Sequence, residues 1–197
     1  MIKKIGLVFA LVILCNYYVF SQQSAAYTSE LVEYQKALSL YNSKQYLAAQ
    51  SLFDKVENTA KDEVLKSDCA YYIANCAVRL NQQNADDLIE QFVSDYPTST
   101  KRNTAFMDVA DYYFENSRFA YARKWYDKVD EDALARRERE TFNFNYGYSF
   151  YATNNNQGAK KYLSRVENSE KYGSQAKYYI GFMAYEGDDY DKASEYF

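Results

Sequence analysis

The stretch FMDVADYYFENSRFAYARKWYDKVD, residues 106–130, decides the fold of this chain. Its small residues Ala110 and Ala122 stand twelve positions apart, and the bulky residues Tyr126 and Val129 follow the second one. Small residues on two successive helices let the helices approach closely, while bulky residues fill the space beside that contact. The stretch therefore predicts two packed helices, over 101–116 and 118–129, joined by a short turn.

The same spacing recurs along the chain. The first small residues follow one another at steps of 37, 36, 37 and 34 residues, and they are Ala37, Ala74, Ala110, Gly147 and Gly181. The second small residues are Ala49, Ala85, Ala122, Ala159 and Ala193. The bulky residues four positions later are Phe53, Ile89, Tyr126, Leu163 and Phe197. Self-similarity at such a period is typical of a helical solenoid, in which each repeat packs on the next.

This pattern resembles the tetratricopeptide repeat, a helix–turn–helix unit of about 34 residues. The best matches are 106–130 and the stretch YYIGFMAYEGDDYDKASEYF, residues 178–197. Pro97 follows the second repeat near the position where the family has a proline. The resemblance implies an all-α fold, a right-handed superhelical solenoid of about five repeats. Phe197 occupies position 24 of the last repeat, so we expect that repeat to be truncated.

The array is predicted to cover 27–197, with repeats at about 30–63, 67–98, 103–136, 140–173 and 174–197. Each repeat has two helices, A and B. The predicted pairs are 29–42 and 45–57, 63–80 and 84–95, 101–116 and 118–129, 133–153 and 156–167, and 173–186 and 189–197.

The composition argues against several classes of function. The chain has 197 residues, a net charge of −4, 23 tyrosines and 12 phenylalanines, but only one proline. It has no histidine, the residue that most often acts as a general base or a zinc ligand. An acidic chain also gains nothing from phosphate contacts. We therefore expect a protein that is not an enzyme, uses no cofactor or metal ion, and has no nucleic-acid partner.

The first 26 residues have the layout of a secretory signal peptide. A basic head with Lys3 and Lys4 precedes an apolar run over 5–20, and the small and polar residues SQQSAA follow. The run is short against the roughly 20 residues that span a bilayer, so an uncleaved membrane anchor is the less favoured alternative. We expect export to the periplasm or the cell envelope of a bacterium.

Two cysteines lie in the predicted mature chain. Cys69 and Cys76 are seven residues apart in one predicted helix, which separates them by about 10.5 Å along the helix axis. A disulfide needs Cα atoms within roughly 7 Å. The pattern therefore predicts two buried thiols that do not bridge one another.

The resemblance also implies a binding groove lined by the A helices. Positions 5, 9 and 12 of those helices face the groove in the family, and here they are strongly aromatic. The candidate groove residues are Tyr34, Tyr41, Tyr71, Phe114, Phe144, Tyr148, Tyr151, Tyr178, Phe182 and Tyr185. Aromatic rings dominate many binding hot spots, so this groove favours a protein or peptide partner. The alternative is that the rings pack each A helix against its neighbouring repeat.

One partner class of the family is argued against. Family members that clamp the carboxylate of chaperone tails use lysine at position 5 and asparagine at position 9. Position 5 here is Tyr, Tyr, Met, Phe and Tyr in turn, and Asn75 alone matches at position 9. We expect a non-catalytic binding scaffold of the cell envelope without a carboxylate clamp. The alternative is a structural or self-associating module that positions a further domain beyond Phe197.

Overall fold

The structure, a computed structural model, describes residues 29–197. The chain divides into two compact units, Met1–Ser99 and Thr100–Phe197, here called the N-terminal and the C-terminal unit. Within the described residues all regular structure is helical, which confirms the all-α prediction. The superhelical path and its handedness stay predictions. The predicted signal peptide, 1–26, lies outside the described residues.

The N-terminal unit contains two helical hairpins. Its helices are α1 (29–42), α2 (Tyr46–Thr59), α3 (Glu63–Arg79) and α4 (Ala85–Asp95). The start of α3 is fixed by Asp62, whose carboxylate accepts hydrogen bonds from the backbone N–H groups of Val64 and Leu65 at 2.7 and 3.2 Å. These four helices match the predicted A and B helices of repeats 1 and 2 to within a few residues.

The C-terminal unit contains three hairpins. Its helices are α5 (Arg102–Glu115), α6 (Phe119–Tyr126), α7 (Arg136–Tyr151), α8 (Asn156–Leu163), α9 (Gly173–Glu186) and α10 (Tyr190–Ser194). Short 3-10 turns cover Glu131–Ala133 and Ser164–Val166. All six helices lie where the repeat pattern predicts them.

The B helices of this unit are shorter than predicted. The prediction extended α6 to 129, but α6 ends at Tyr126. The Asn103 side chain binds the backbone of Asp130 instead: its Oδ1 accepts from the Asp130 N–H at 2.8 Å and its Nδ2 donates to the Asp130 carbonyl at 3.0 Å.

The prediction also began the fourth A helix at 133. That helix begins at Arg136, because the Glu138 carboxylate accepts from the Ala135 N–H at 2.9 Å and caps it there.

The recurring small residues are buried, as the pattern predicts. Ala37, Ala49, Ala110, Ala122 and Ala159 have no exposed surface. A methyl group added at Gly147 would lie 2.9 Å from the Leu163 Cγ and 3.0 Å from the Leu163 backbone nitrogen, so α7 and α8 approach too closely for alanine there. The small-residue spacing therefore marks the contact line between the A and B helices of each repeat.

The turn between the A and B helices begins in the same way in all five repeats. One residue in each turn has a left-handed backbone with φ between 53° and 60°, and these residues are Lys44, Asn81, Ser117, Asn154 and Asp188. The residue after each one donates its N–H to a carbonyl five residues back at 2.8–3.0 Å, as in Gln45 to Leu40 and Arg118 to Tyr113. This bonding closes the last turn of each A helix. Each left-handed residue lies seven positions after the first small residue of its repeat.

Both cysteines of the described chain are free and buried, which confirms the prediction of unbridged thiols. Burial raises the pKa of Cys69 and of Cys76 to about 12. Among residues 29–197 no helix combines the length and the apolar character needed to cross a membrane.

Candidate binding surface

The C-terminal unit contains a cluster of aromatic rings centred on Tyr148 of α7. Within 6.4 Å of its ring centroid lie the centroids of Phe114, Phe119, Phe144, Tyr151 and Tyr179. The rings come from α5, α6, α7 and α9, so the cluster joins three consecutive repeats of this unit. We call these six residues the Tyr148 cluster. All of them except Phe144 are half-buried, so each presents part of its ring to solvent.

Tyr179 belongs to this cluster although the sequence did not single it out. Its ring centroid lies 5.0 Å from those of Tyr148 and Tyr151. Burial, followed by the neighbouring Tyr148, raises the pKa of the Tyr179 hydroxyl. The Tyr179 hydroxyl is therefore neutral and able to donate a hydrogen bond at physiological pH.

A second group of rings lies at the C-terminal end of the same unit. Tyr178 stacks on Phe182 with a centroid distance of 6.2 Å and meets Phe197 edge-on at 6.2 Å. Tyr185 meets Tyr190 edge-on at 5.5 Å. Four of these five rings are exposed by about half or more: Tyr178, Tyr185, Tyr190 and Phe197. This patch leaves more aromatic surface open than any other set of neighbouring rings described in the unit.

The predicted groove residues fall into two classes in the structure. Tyr41, Phe114, Tyr148, Tyr151 and Phe182 are half-buried, and Tyr178 and Tyr185 are exposed. Tyr34, Tyr71 and Phe144 are only 5–8% exposed. Those three rings pack inside their own unit, and the Tyr34 hydroxyl donates to the Asp68 carboxylate at 3.2 Å. Tyr34, Tyr71 and Phe144 therefore pack as core residues, which is the alternative to a position in an open groove.

A cavity of about 420 Å³ lies between α5 and α7, close to the Tyr148 cluster. Its wall includes Met107 and Asp111, which occupy groove positions 5 and 9 of the third repeat. Asp108, Glu138 and Arg137 also line it, so three carboxylates face one guanidinium. The cavity is thus acidic and has an apolar floor.

The Asp111 carboxylate is held in a fixed position within this cavity. Its Oδ1 accepts a hydrogen bond from the buried Tyr126 hydroxyl and another from Asn145 Nδ2, the latter at 3.0 Å. Burial and the Asp111 charge both raise the pKa of Tyr126, which keeps that hydroxyl a donor. Both bonds end on Oδ1, and Asp111 is one of the residues that line the cavity.

The N-terminal unit has its own aromatic cluster, formed by Tyr41, Tyr46 and Tyr72. Tyr41 lies 5.0 Å from Tyr72 and 5.5 Å from Tyr46, centroid to centroid. The guanidinium of Arg79 lies over the Tyr41 and Tyr46 rings at 5.4 and 5.7 Å. This cluster is therefore covered by a cation of its own chain.

The described residues show no group of three or more cysteine, aspartate or glutamate side chains arranged to hold a metal ion. The candidate binding surfaces are the Tyr148 cluster, the acidic cavity beside it and the exposed rings of α9 and α10.

Comparison with known proteins adds sequence and structural relatives. Residues 68–99 match the sequence model of the tetratricopeptide repeat. No curated protein matches the chain at a significant level of sequence similarity. A MamA double mutant, RS-1 ArsTM, has a similar structure with a TM-score of 0.64 and 12% identity, over 85% of this chain and 89% of that one.

Two further structures are similar at the same level. Pseudomonas aeruginosa PilF has a TM-score of 0.59 and 14% identity, over 87% of this chain and 75% of its own. A kinesin light chain protein of nearly identical TPR-like repeats from Podospora anserina has a TM-score of 0.60 and 14% identity, over 84% and 90%. At these identities the similarity concerns the fold. One repeat matched in sequence, five equivalent helical hairpins and these neighbours together show a fold of the tetratricopeptide-repeat type.

Proposed function

We propose that this chain is a non-catalytic scaffold of the bacterial cell envelope that holds a protein or peptide on its C-terminal unit. The observation that carries the proposal is the Tyr148 cluster, in which rings from four helices meet and stay partly open to solvent. Rings of this kind offer a large contact area at a low cost in conformational entropy. Tetratricopeptide repeats are generally protein-interaction scaffolds, which agrees with this role.

The charges beside the cluster define the partner further. The α5–α7 cavity carries Asp108, Asp111 and Glu138 against Arg137. Complementary charge steers a partner and fixes its register. We therefore expect a segment with an apolar or aromatic side chain on the Tyr148 cluster and a lysine or arginine side chain in the acidic cavity.

The test uses the chain from residue 27 onward and a displayed library of random peptides. Selected peptides should carry an aromatic residue and a basic residue. The double variant Tyr148→Ala with Tyr151→Ala should bind them at least about thirtyfold more weakly, since a hot-spot residue contributes about 2 kcal/mol or more. Far-UV circular dichroism should show unchanged helicity.

The matched control for this test is Tyr121→Ala. Tyr121 is 48% exposed on α6 and contacts Tyr113 and Arg118, away from the Tyr148 cluster. It should leave peptide affinity unchanged. If the double variant loses helicity, or if Tyr121→Ala weakens binding equally, the rings of the Tyr148 cluster are core residues and the proposal fails.

The exposed rings of α9 and α10 favour a second candidate function, self-association. An exposed apolar patch often marks a contact with another protein. Light scattering should then show an oligomer for the unmodified chain and a monomer for Tyr178→Ser with Phe197→Ser. A monomer for both chains would leave the peptide-binding scaffold as the better description.

A further inference from the structure

The B helix of one repeat packs against the hairpin of the next repeat, and we call this contact region a seam. The C-terminal unit has two seams, and their side chains differ. Between repeats 3 and 4, Arg123 of α6 donates to the Thr153 hydroxyl at 2.9 Å, and its guanidinium lies 4.1 Å from the centroid of the Phe150 ring. The same ring packs on Gly158, where an added methyl group would come within 2.4 Å of it. This seam is filled by an aromatic ring under a cation.

The seam between repeats 4 and 5 lacks that ring. The residue equivalent to Phe150 is Ala184, the one equivalent to Arg123 is Lys160, and the one equivalent to Gly158 is Lys192. A cavity of about 280 Å³ is present, with Ala184, Ile180 and Met183 as its apolar side and Lys160 and Lys192 as its cationic side. The exchange of a ring for a methyl group explains why this seam is open and the previous one is closed.

The two lysines of the open seam bring like charges together. Both side chains line the same cavity, and the nearby Lys192 lowers the pKa of Lys160. Within the described chain neither ammonium forms an ion pair with a carboxylate. Asp189 also lines the cavity, but its Oδ1 caps α10 by accepting from the Lys192 N–H at 3.2 Å. Of the charged side chains that line the cavity, two are positive and one is negative.

The N-terminal unit shows how a seam of this kind is completed by its own residues. Gln50, at the position of Lys160, exchanges hydrogen bonds with Gln82 of the next repeat at 2.8 and 3.1 Å. Gln50 also donates to the Ile73 carbonyl at 3.3 Å. The Gln50 and Gln82 amides form a complementary pair, and so do the Arg123 guanidinium and the Phe150 ring. The two ammonium groups of Lys160 and Lys192 do not, because both are positively charged.

We propose that the cavity between α8, α9 and α10 binds an aromatic carboxylate. The aromatic group would lie on Ile180, Met183 and Ala184, and the carboxylate would bridge the Lys160 and Lys192 ammonium groups. The free carboxyl terminus of a peptide ending in phenylalanine has this chemistry, and so does a small aromatic acid. The site is separate from the Tyr148 cluster and does not depend on the function proposed above.

The experiment follows the methyl NMR signals of Ile180, Met183 and Ala184 during titration with N-acetyl-L-phenylalanine. These signals should shift, whereas the primary amide of the same compound should bind at least about fivefold more weakly, because it lacks the charge. Lys160→Gln and Lys192→Gln should each weaken binding about threefold, which is the scale of an exposed ion pair. Ala184→Phe should abolish binding by filling the cavity as Phe150 fills the other seam.

Matched controls separate this site from its surroundings. Lys161→Gln removes a charge one position along α8 and outside the cavity, so it should leave affinity unchanged. Tyr148→Ala should also have no effect. A short peptide ending in phenylalanine that binds more tightly than 3-phenylpropionate would identify a protein terminus as the ligand, and equal affinity would identify a small acid.

Three results would overturn the proposal. The first is equal binding of the acid and the amide, and the second is an equal loss of affinity in Lys161→Gln and Lys160→Gln. The third is inorganic phosphate binding as tightly as N-acetyl-L-phenylalanine, which would show that the apolar side of the cavity contributes nothing. Since the lysine variants are conservative and lie at the surface, the test does not depend on Ala184→Phe folding.

Discussion

The N-terminal and C-terminal units contain the same aromatic pair with opposite charges beside it. Tyr41 and Tyr72 in the first unit, and Tyr151 and Tyr179 in the second, occupy equivalent repeat positions, and both pairs are 5.0 Å apart. The residue equivalent to Arg79, which covers the first pair, is Glu186 in the second unit. Burial, followed by the Glu186 carboxylate, raises the pKa of Tyr151.

This difference concerns whether a charged group of the chain itself covers the equivalent rings. A guanidinium lies over Tyr41 and Tyr46, whereas no cation of the described chain lies over Tyr148, Tyr151 or Tyr179. The rings alone therefore do not define a candidate binding surface. The residue seven positions after Tyr72 or Tyr179, on the same helix, decides whether a cation covers the pair. Four experiments sharpen or break this comparison, and they run from the largest expected effect to the smallest.

The closed interior of the N-terminal unit can be measured through its thiols. A pKa of about 12 for Cys69 and Cys76, against about 9 for an ordinary thiol, implies that alkylation at pH 8 is slower by about a thousandfold. Peptide-resolved mass spectrometry after iodoacetamide treatment should show this protection, and urea should remove it. Rapid labelling of either thiol in the folded chain would show that the unit is not closed.

The same shift has a defined pH dependence. Because the folded pKa is raised, the unfolded chain loses the thiol proton first, so this contribution to stability is fully present below about pH 9 and is lost as pH rises towards 12.

Two repeats of the C-terminal unit have glycine, Gly147 and Gly181, where both repeats of the N-terminal unit have alanine for close helix contact. Gly147→Ala should lower the free energy of unfolding by about 1–2 kcal/mol, because overpacking against Leu163 outweighs the better helix propensity of alanine. Urea denaturation measures this. The matched control is Gly187→Ala, where an added methyl group meets nothing closer than 3.4 Å. A neutral Gly147→Ala would show that the two units pack equally tightly at this position.

The covering cation should stabilise only the N-terminal unit. Arg79→Ala should lower the free energy of unfolding by about 1 kcal/mol, since the guanidinium contacts two rings and donates to Asn75 Oδ1 at 3.4 Å. Glu186→Ala should change it by less than about 0.5 kcal/mol, the usual range for an exposed side chain. Equal effects of the two variants would break the comparison between the units.

The turns offer the smallest effect. Lysine in a left-handed backbone is strained, so Lys44→Gly should raise the free energy of unfolding by about 0.5–1 kcal/mol. Asparagine tolerates this conformation, so Asn154→Gly should be close to neutral. Thermal unfolding of both variants checks the difference, and destabilisation by Lys44→Gly would show that its side chain contributes contacts that outweigh the strain.

The sequence was sufficient for the helices because their contact line is made of small residues. Ala37 and Gly147 lie on that line for a steric reason that any chain of this fold shares. The ends of α6 and α7 were not predictable in the same way, since they depend on single side chains such as Asn103 and Glu138, which bind backbone groups remote from the helical pattern.

The candidate binding surface was only partly predictable for a related reason. Position in a repeat shows the direction of a side chain but not what covers it. Tyr34 finds a hydrogen-bond acceptor in Asp68 of the next repeat and is buried, while Tyr178 finds none and is 53% exposed. Tyr179 was missed because Tyr148 and Tyr151, which contact it, belong to the preceding repeat and not to its own helix.

In every repeat, the left-handed residue of the turn lies seven positions after the first small residue. This constant distance makes the helical hairpin a unit that could be exchanged between repeats. An α-helix has 3.6 residues per turn, so adding one residue inside that distance would rotate the turn by about 100° relative to the helix contact. Variation in repeat length occurs elsewhere, in the second turn and in the segment between α8 and α9. Chimeric arrays built from these hairpins should therefore be joined between a B helix and the following A helix, where the chain itself already varies in length.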